Sequence, residues 1–280
     1  MNKIKKTLLT FAGFLLAILL IFGILWLFIP QATNEFGGQK PQMQMPKSLT
    51  YAALGDSLTE GVGDATGQGG FVPLFAREVE NGFDSSVKFQ NFGKAGDTST
   101  QIYTRMTTQK KIQDGLKNAN IITITVGGND VMKVIRDNFT KLSTLSTNDF
   151  VQPSKDYQKE LEKIFANIRK ENNHAQIYVL GIYNPFYLNF PNITTMQDVI
   201  DNWNNATDEV VKSEKDAYFV PINDLLYKGL DGKQAVEDTG NSSSVQNDLL
   251  YTGDNFHPNN TGYQIMADAV FASYQEVNKK

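Results

Sequence analysis

The sequence has 280 residues, of which 41% are hydrophobic and 20% are charged, and its formal net charge is −4. This composition predicts a globular chain with a sizeable core rather than a disordered one. Cysteine is absent and there are only two histidines. Disulfides, thiolate nucleophiles, cysteine-ligated zinc and histidine-rich metal sites are therefore excluded.

The first thirty residues differ from the rest of the chain and are predicted to form a membrane anchor. Lys3, Lys5 and Lys6 precede Thr7–Ile29, a run of 23 residues without charge. As a helix this run would be roughly 35 Å long, which is enough to span a bilayer. The run is longer than the apolar core of a cleavable signal peptide, and residues 30–33 are a poor cleavage site. An uncleaved signal-anchor is therefore favoured over a cleaved signal peptide, which would release the chain. The lysines predict a cytoplasmic amino terminus and an extracellular remainder.

The predicted organisation is an anchor over residues 1–30, a linker over 31–46 and one domain over 47–280. From Lys47 onward the sequence has 22 Lys and Arg against 29 Asp and Glu, a net charge of −7. This acidic balance argues against binding to nucleic acid or to anionic lipid headgroups. The absence of cysteine in an exported chain is more typical of a bacterial cell surface than of a eukaryotic secretory protein, and a Gram-positive bacterium is expected. No obligate protein partner is evident.

Strands and helices are predicted to alternate along the domain. The predicted strands are Leu49–Leu54, Val87–Asn91, Ile121–Val126, Gln176–Leu180 and Tyr218–Val220. The predicted helices are Gly70–Glu80, a segment from Ser99 to about Lys117, one beginning near Asp130, Asp149–Asn172, Met196–Lys215 and Asn260–Val277. This alternation predicts an α/β fold whose parallel sheet is covered by helices on both faces.

Three loops carry groups that are suited to acyl transfer. Ser57 follows the first predicted strand, Gly96 follows the second and Asn129 follows the third. Loops after parallel strands meet at one edge of the sheet, so these residues are expected to share a crevice. They offer a hydroxyl nucleophile, an accessible backbone N–H and a side-chain amide donor. Each also has a plainer interpretation, with Gly-Asp-Ser and Gly96 as turn residues and Asn129 as a helix cap.

His257 is the better of the two candidate bases. A turn-like path from Asp254 to His257 would place the carboxylate beside the imidazole Nδ1 and leave Nε2 free. The alternative makes Asp254 a helix cap and His257 a surface residue. His174 precedes the fourth predicted strand and is expected at the opposite edge of the sheet.

Four blocks of the sequence resemble those of the GDSL or SGNH hydrolases. They are Gly55-Asp-Ser-Leu58, Asn91-Phe-Gly-Lys-Ala-Gly96-Asp-Thr-Ser99, Gly127-Gly-Asn129-Asp130 and Asp254-x-x-His257-Pro258. They stand in the family's order and cover essentially the whole predicted domain. The branch that the chain is most similar to holds bacterial lipases/acylhydrolases of the thioesterase I and lysophospholipase L1 type.

The resemblance implies a flavodoxin-like, three-layer α/β/α fold with a five-stranded parallel sheet in the order 2-1-3-4-5. It implies hydrolysis of esters or thioesters without a metal or an organic cofactor. In this family pattern Ser57 is the nucleophile, His257 the general base and Asp254 its orienting partner. The resemblance also implies an oxyanion hole made of the Ser57 and Gly96 backbone N–H groups and the Asn129 side-chain amide.

Three functions remain open at this point. An esterase acting on a small or lipid-derived ester is favoured, and an O-deacetylase of cell-wall or capsular carbohydrate would use the same residues. A non-catalytic binding module is disfavoured, because a scaffold would need none of these side chains. The aromatic segment Tyr183–Pro191 could line an acyl groove, stack on sugars or simply pack, and Phe139–Pro153 and Gly229–Tyr251 are candidate lids.

Overall fold

The structure is a computed structural model that describes residues 46–188, 194–230 and 247–279. Its strands are β1 (Ser48–Gly55), β2 (Ser86–Gly93), β3 (Ile121–Thr125), β4 (Gln176–Leu180) and β5 (Ala217–Val220). Its α-helices are α1 (Ser57–Glu60), α2 (Phe71–Phe83), α3 (Ser99–Thr108), α4 (Lys110–Lys117), α5 (Gly128–Asp137), α6 (Val151–Glu171), α7 (Thr194–Ser213), α8 (Asn223–Leu226) and α9 (Asn260–Asn278). Two 3-10 segments, Phe139–Thr144 and Thr147–Phe150, precede α6.

The five strands form one parallel sheet in the order β2-β1-β3-β4-β5. Its register aligns Gly55 with both Gly93 and Thr125, and aligns Thr125 with Leu180. The carboxyl ends of β1 to β4 therefore lie at one edge, where the loops that follow them emerge together. The predicted α/β fold and strand order are confirmed.

Both faces of the sheet are buried beneath helices, which makes three layers. Leu54 and Ile122 belong to a core with α3 to α7, whereas Tyr51 and Leu180 belong to a core with α2, α8 and α9. Every residue of β3 is buried. This double burial explains why β3 reads as a continuous β-branched run rather than as an alternating one.

The single helix predicted from Ser99 to about Lys117 is two helices, which corrects the sequence-based expectation. Gln109 has an extended backbone (φ −100°, ψ 110°) and separates α3 from α4. The hydroxyls of Thr107 and Thr108 donate to carbonyls four residues earlier, at 2.9 and 2.7 Å. Such side-chain bonds compete with the helix ladder, and β-branched residues are poor helix formers, so the break follows the threonines.

Helix α5 begins earlier than predicted, at Gly128 rather than Asp130. Gly127 caps it with φ of 108°, a left-handed conformation that favours glycine. A Cβ added at Gly127 would lie 2.8 Å from the Trp203 Nε1. Asn129 is therefore inside the first turn, which removes its interpretation as the cap of the helix.

Some sequence-based predictions lie outside the described residues. These are the anchor helix, the linker up to residue 45, residues 189–193 of the aromatic segment and residues 231–246 of the second candidate lid. Within 46–188, 194–230 and 247–279, no helix combines the length and the apolarity that crossing a bilayer requires.

Candidate active site

Ser57 lies on a tight turn at the carboxyl end of β1. Asp56 caps the short helix α1, because its Oδ1 accepts the Leu58 N–H at 3.0 Å and the Thr125 hydroxyl at 2.8 Å. Burial raises the pKa of Asp56, although these two hydrogen bonds oppose the rise. The buried carboxyl thus ties the turn to the neighbouring strand β3 and holds Ser57 at the edge of the sheet.

Glycines let this turn pack closely on its neighbours. A Cβ at Gly55 would lie 2.2 Å from the Thr125 Oγ1, and a Cβ at Gly93 would lie 2.0 Å from the Glu60 N. Only hydrogen fits at either position, so α1 rests directly on the end of β2. The Ser57 side chain is consequently placed by backbone packing.

A hydrogen-bonded chain joins Ser57, His257 and Asp254. The His257 Nε2 lies 2.9 Å from the Ser57 Oγ, and the His257 Nδ1 lies 2.6 Å from the Asp254 Oδ2. Burial disfavours the Asp254 carboxylate, but hydrogen bonds from the His257 side chain and from the His257 and Phe256 backbones outweigh it and lower the pKa of Asp254. An ionised carboxylate can hold the imidazole with Nε2 towards the serine.

The turn that carries Asp254 and His257 is locally fixed. The Asp254 Oδ1 accepts the N–H groups of Phe256 and His257 at 2.9 and 3.0 Å. Asn255 takes a left-handed conformation with φ of 51°. The Tyr183 hydroxyl donates to the Phe256 carbonyl at 2.5 Å, and the Phe256 ring packs edge-on against the imidazole. Asp254 is therefore a partner of His257, while the cap of α9 is Asn259.

A glycine-rich loop between α1 and α2 supports His257 from behind. Gly63 has φ of 93°, and a Cβ there would lie 2.5 Å from the Pro258 carbonyl oxygen and 3.4 Å from the His257 Cβ. The Tyr263 hydroxyl of α9 donates to the Val62 carbonyl at 2.6 Å and anchors the loop. This support was not predicted from the sequence, although the five glycines within residues 61–70 indicate a tightly packed loop.

Asn129 and Gly96 bring hydrogen-bond donors to the same edge of the sheet. The Asn129 Nδ2 donates to the Asp97 carbonyl at 3.0 Å, and Asn129 lines one pocket with Ser57. Gly96 has φ of 83°, and a Cβ there would meet no atom within 4 Å, so its backbone faces open space. Within the described residues, neither the Ser57 nor the Gly96 backbone N–H donates a hydrogen bond. These groups are free to bind a negatively charged oxygen.

The pocket beside Ser57 is small and mostly apolar. Its volume is about 40 Å³. Apolar side chains of four chain segments line it, namely Leu58, Val126, Ile182, Tyr183, Pro185 and Phe256. Within the aromatic segment, Tyr183 and Pro185 thus face the pocket, whereas Phe186 packs against Phe256 with ring centroids 6.0 Å apart.

Two buried ion and hydrogen-bond systems beneath these loops were not found from the sequence. Arg105 on α3 pairs with Asp97, and Asp130 on α5 accepts the Ser99 hydroxyl at 2.6 Å and the Ser99 N–H at 2.9 Å. Burial raises the pKa of Asp130, against the effect of these two hydrogen bonds. In the linear sequence these are single polar residues without a periodic pattern.

The remaining histidine, His174, lies away from this site. His174 is exposed and precedes β4, at the edge opposite Ser57. In the part of the chain that the structure describes, no group of three or more His, Cys, Asp and Glu residues is placed to hold a metal ion.

Known proteins are similar to this chain in sequence. A sequence model of the GDSL-like lipase/acylhydrolase family matches residues 53–265. The chain is 34% identical over 252 residues to the uncharacterized protein YpmR of Bacillus subtilis, covering 89% of each chain. It is 27% identical over 234 residues to the spore germination lipase LipC of Bacillus licheniformis, covering 81% of this chain and 96% of that one.

The likeness extends to solved structures. The lipase Lip_vut3 from a goat rumen metagenome matches with a TM-score of 0.63 and 26% identity, covering 80% of this chain and 97% of that chain. The chain therefore belongs to the GDSL-like lipase/acylhydrolase family and is a serine carboxylic ester hydrolase.

Proposed function

We propose that the protein cleaves carboxylic esters or thioesters through an acyl-enzyme formed on Ser57. The observation that carries this proposal is the hydrogen-bonded chain from the Ser57 Oγ through His257 to Asp254, with distances of 2.9 and 2.6 Å. Serine is a weak nucleophile until a neighbouring base takes its proton, and His257 is the base within reach.

In the proposed reaction the Ser57 Oγ attacks the carbonyl carbon while the His257 Nε2 takes the hydroxyl proton. The tetrahedral intermediate collapses, and the imidazolium returns that proton to the leaving alcohol or thiol. Water then repeats the sequence on the acyl-enzyme and releases the acid. Asp254, whose lowered pKa keeps it ionised, stabilises the transient imidazolium.

The negative charge on the substrate oxygen would be met by the Ser57 and Gly96 backbone N–H groups and by the Asn129 amide. Two observations support this assignment. Asn129 shares the pocket with Ser57, and the two backbone donors have no acceptor within the described residues. Such preorganised donors commonly contribute the largest part of catalysis in acyl transfer.

The pocket and the relatives support two candidate substrate classes. LipC and Lip_vut3 bear the name lipase, which supports a lipid-derived ester. The pocket beside Ser57, with a volume of about 40 Å³ and a mostly apolar lining, is of a size to take a short acyl group. This size is the specific observation that favours the second candidate, an O-deacetylase of cell-wall or capsular carbohydrate.

A membrane anchor and an extracellular site complete the proposal. They are supported by the uncharged run Thr7–Ile29 behind Lys3, Lys5 and Lys6. The expected result is that the protein stays with the membrane after high-salt washing and that protease added outside intact cells digests the domain. Recovery of the domain in the culture medium would instead support a cleaved signal.

The catalytic proposal is tested by hydrolysis of p-nitrophenyl acetate and octanoate by the full chain in non-ionic detergent, with Ser57→Ala as the control. We expect activity that the substitution abolishes, and labelling of Ser57 by a fluorophosphonate. A higher kcat/KM on octanoate supports the acylhydrolase, and a higher value on acetate supports the deacetylase. Unchanged activity in Ser57→Ala would refute the assigned nucleophile.

A further inference from the structure

A single buried guanidinium lies beneath the loops that carry the proposed oxyanion donors. The Arg105 Nε donates to the Asp97 carboxylate, Nη1 donates to the Phe92 carbonyl at 3.0 Å and Nη2 donates to the Gly55 carbonyl at 2.9 Å. The side chains of Arg105 and Asp97 are 11% and 4% exposed. Arginine alone among side chains presents several donors in a rigid planar fork, so lysine cannot reproduce all of these bonds.

The acceptors of Arg105 belong to the segments that form the site. Gly55 stands two residues before Ser57, and its carbonyl also accepts the Lys94 N–H at 3.0 Å. Phe92 lies at the end of β2, and Asp97 directly follows Gly96. One charged group therefore joins the Ser57 turn to the Gly96 loop.

Asp97 extends this connection to Asn129. Its backbone carbonyl accepts one N–H of the Asn129 amide at 3.0 Å. A primary amide carries two N–H donors in one plane, so fixing one of them fixes the direction of the other. Asp97 thus links Arg105 to Asn129, because its carboxylate accepts from Arg105 while its carbonyl accepts from Asn129.

We propose that Arg105 is a positioning residue for the oxyanion site. Through Asp97 it sets the backbone that presents the Gly96 N–H and orients the Asn129 amide, so that the donors are in place before the substrate arrives. This inference rests on the proposed catalytic roles of Ser57, Gly96 and Asn129. It assigns Arg105 no contact with the substrate.

Preorganised donors act mainly on the transition state, which separates this proposal from a purely structural role. We expect Arg105→Lys and Asp97→Asn to lower kcat by about 10-fold to 100-fold with KM changed less than about 2-fold, since losing one donor outright typically costs 10²–10³. Rates are normalised to the fraction of Ser57 that a fluorophosphonate labels, so that unfolded protein does not contribute. Arg77→Lys, a change of the same type at an exposed arginine, is expected to leave kcat unchanged.

A double-mutant cycle tests the route through Asn129. If Arg105 acts by orienting that amide, the double variant Arg105→Lys/Asn129→Ala should lose far less kcat than the product of the fold-losses of the two single variants. The inference would be overturned if the two losses of kcat multiplied fully in the double variant. It would also be overturned if Arg105→Lys and Asp97→Asn both had the normalised kcat of Arg77→Lys. If Arg105→Lys fails to fold, Asp97→Asn takes its place in the cycle.

The two levels of the proposal fail in different ways. Activity that survives in Ser57→Ala refutes the proposed function, and the positioning role with it. Activity that requires Ser57 but is insensitive to Arg105→Lys and Asp97→Asn refutes the positioning role alone.

Discussion

Replacing Gly63 with alanine tests whether the glycine-rich loop holds the histidine in place. The added Cβ would lie 2.5 Å from the Pro258 carbonyl oxygen and 3.4 Å from the His257 Cβ. A carbon–oxygen contact normally needs about 3.3 Å, so Pro258 has to move by nearly 1 Å. The His257–Ser57 hydrogen bond, 2.9 Å long, would then be broken or badly aligned. A misplacement of this size typically costs about 10²-fold in kcat.

The stability cost can be estimated from the same contacts. Forcing a Cβ into a left-handed backbone costs about 1–2 kcal/mol, and overpacking adds about 1–3 kcal/mol. We therefore expect Gly63→Ala to lower the free energy of unfolding in urea by about 2–5 kcal/mol.

Gly67 provides a matched control within the same loop. Its φ is also positive, at 65°, but a Cβ there would meet nothing within 4 Å. Gly67→Ala is expected to cost only the backbone strain, about 1–2 kcal/mol, and to keep the wild-type kcat on p-nitrophenyl acetate. Equal kcat values for the two variants would refute the idea that this loop positions His257.

Three further predictions concern single side chains. Asn129→Ala should remain folded by circular dichroism but lose about 10²–10³ in kcat, and retention of most activity would remove the residue from the oxyanion site. Tyr183→Phe leaves the Phe256 carbonyl without its hydroxyl donor, so the free energy of unfolding in urea should fall by about 1–2 kcal/mol. An unchanged urea midpoint would show that this hydrogen bond does not contribute to stability. Burial, with the neighbouring Asp268, raises the pKa of Glu78 from 4.5 to about 7. The folded state therefore favours the protonated Glu78, and the stability that this contributes is complete below pH 4.5 and is lost as the pH rises through 7. The melting temperature of Glu78→Gln should therefore rise relative to that of wild type between pH 4.5 and 7. A difference in melting temperature that stays constant over this range would contradict the prediction.

The sheet and the grouping of loops could be predicted because their signals are local. The β-branched run at Ile121–Thr125 and the alternation of strands with helices indicate a parallel sheet without reference to any long-range contact. Parallel connectivity then predicts that the loops after β1, β2 and β3 share one edge. The structure brings Ser57 and Asn129 to one pocket there, and it joins His257 to Ser57 by a hydrogen bond.

The details that the sequence could not predict depend on partners that are distant along the chain. Arg105 binds carbonyls 13 and 50 residues away, and no spacing rule relates such positions. The break at Gln109 arises from a choice between helix and side-chain hydrogen bonds that are of similar strength. Gly63 is required because its backbone is left-handed and because Pro258 and His257, from the far end of the chain, pack against it.

The hydrogen bond between Ser57 and His257 joins residues 200 positions apart in the sequence. A contact of such high sequence separation carries a loop-closure entropy cost that local contacts do not carry. His257 lies three residues before α9, which packs on α2 in the same core, so the position of His257 at the serine depends on the packing of the last helix. In the proposed mechanism a nascent chain would thus carry its nucleophile from early in synthesis and yet hydrolyse nothing. Hydrolysis would begin only once the carboxyl-terminal segment had been made and packed.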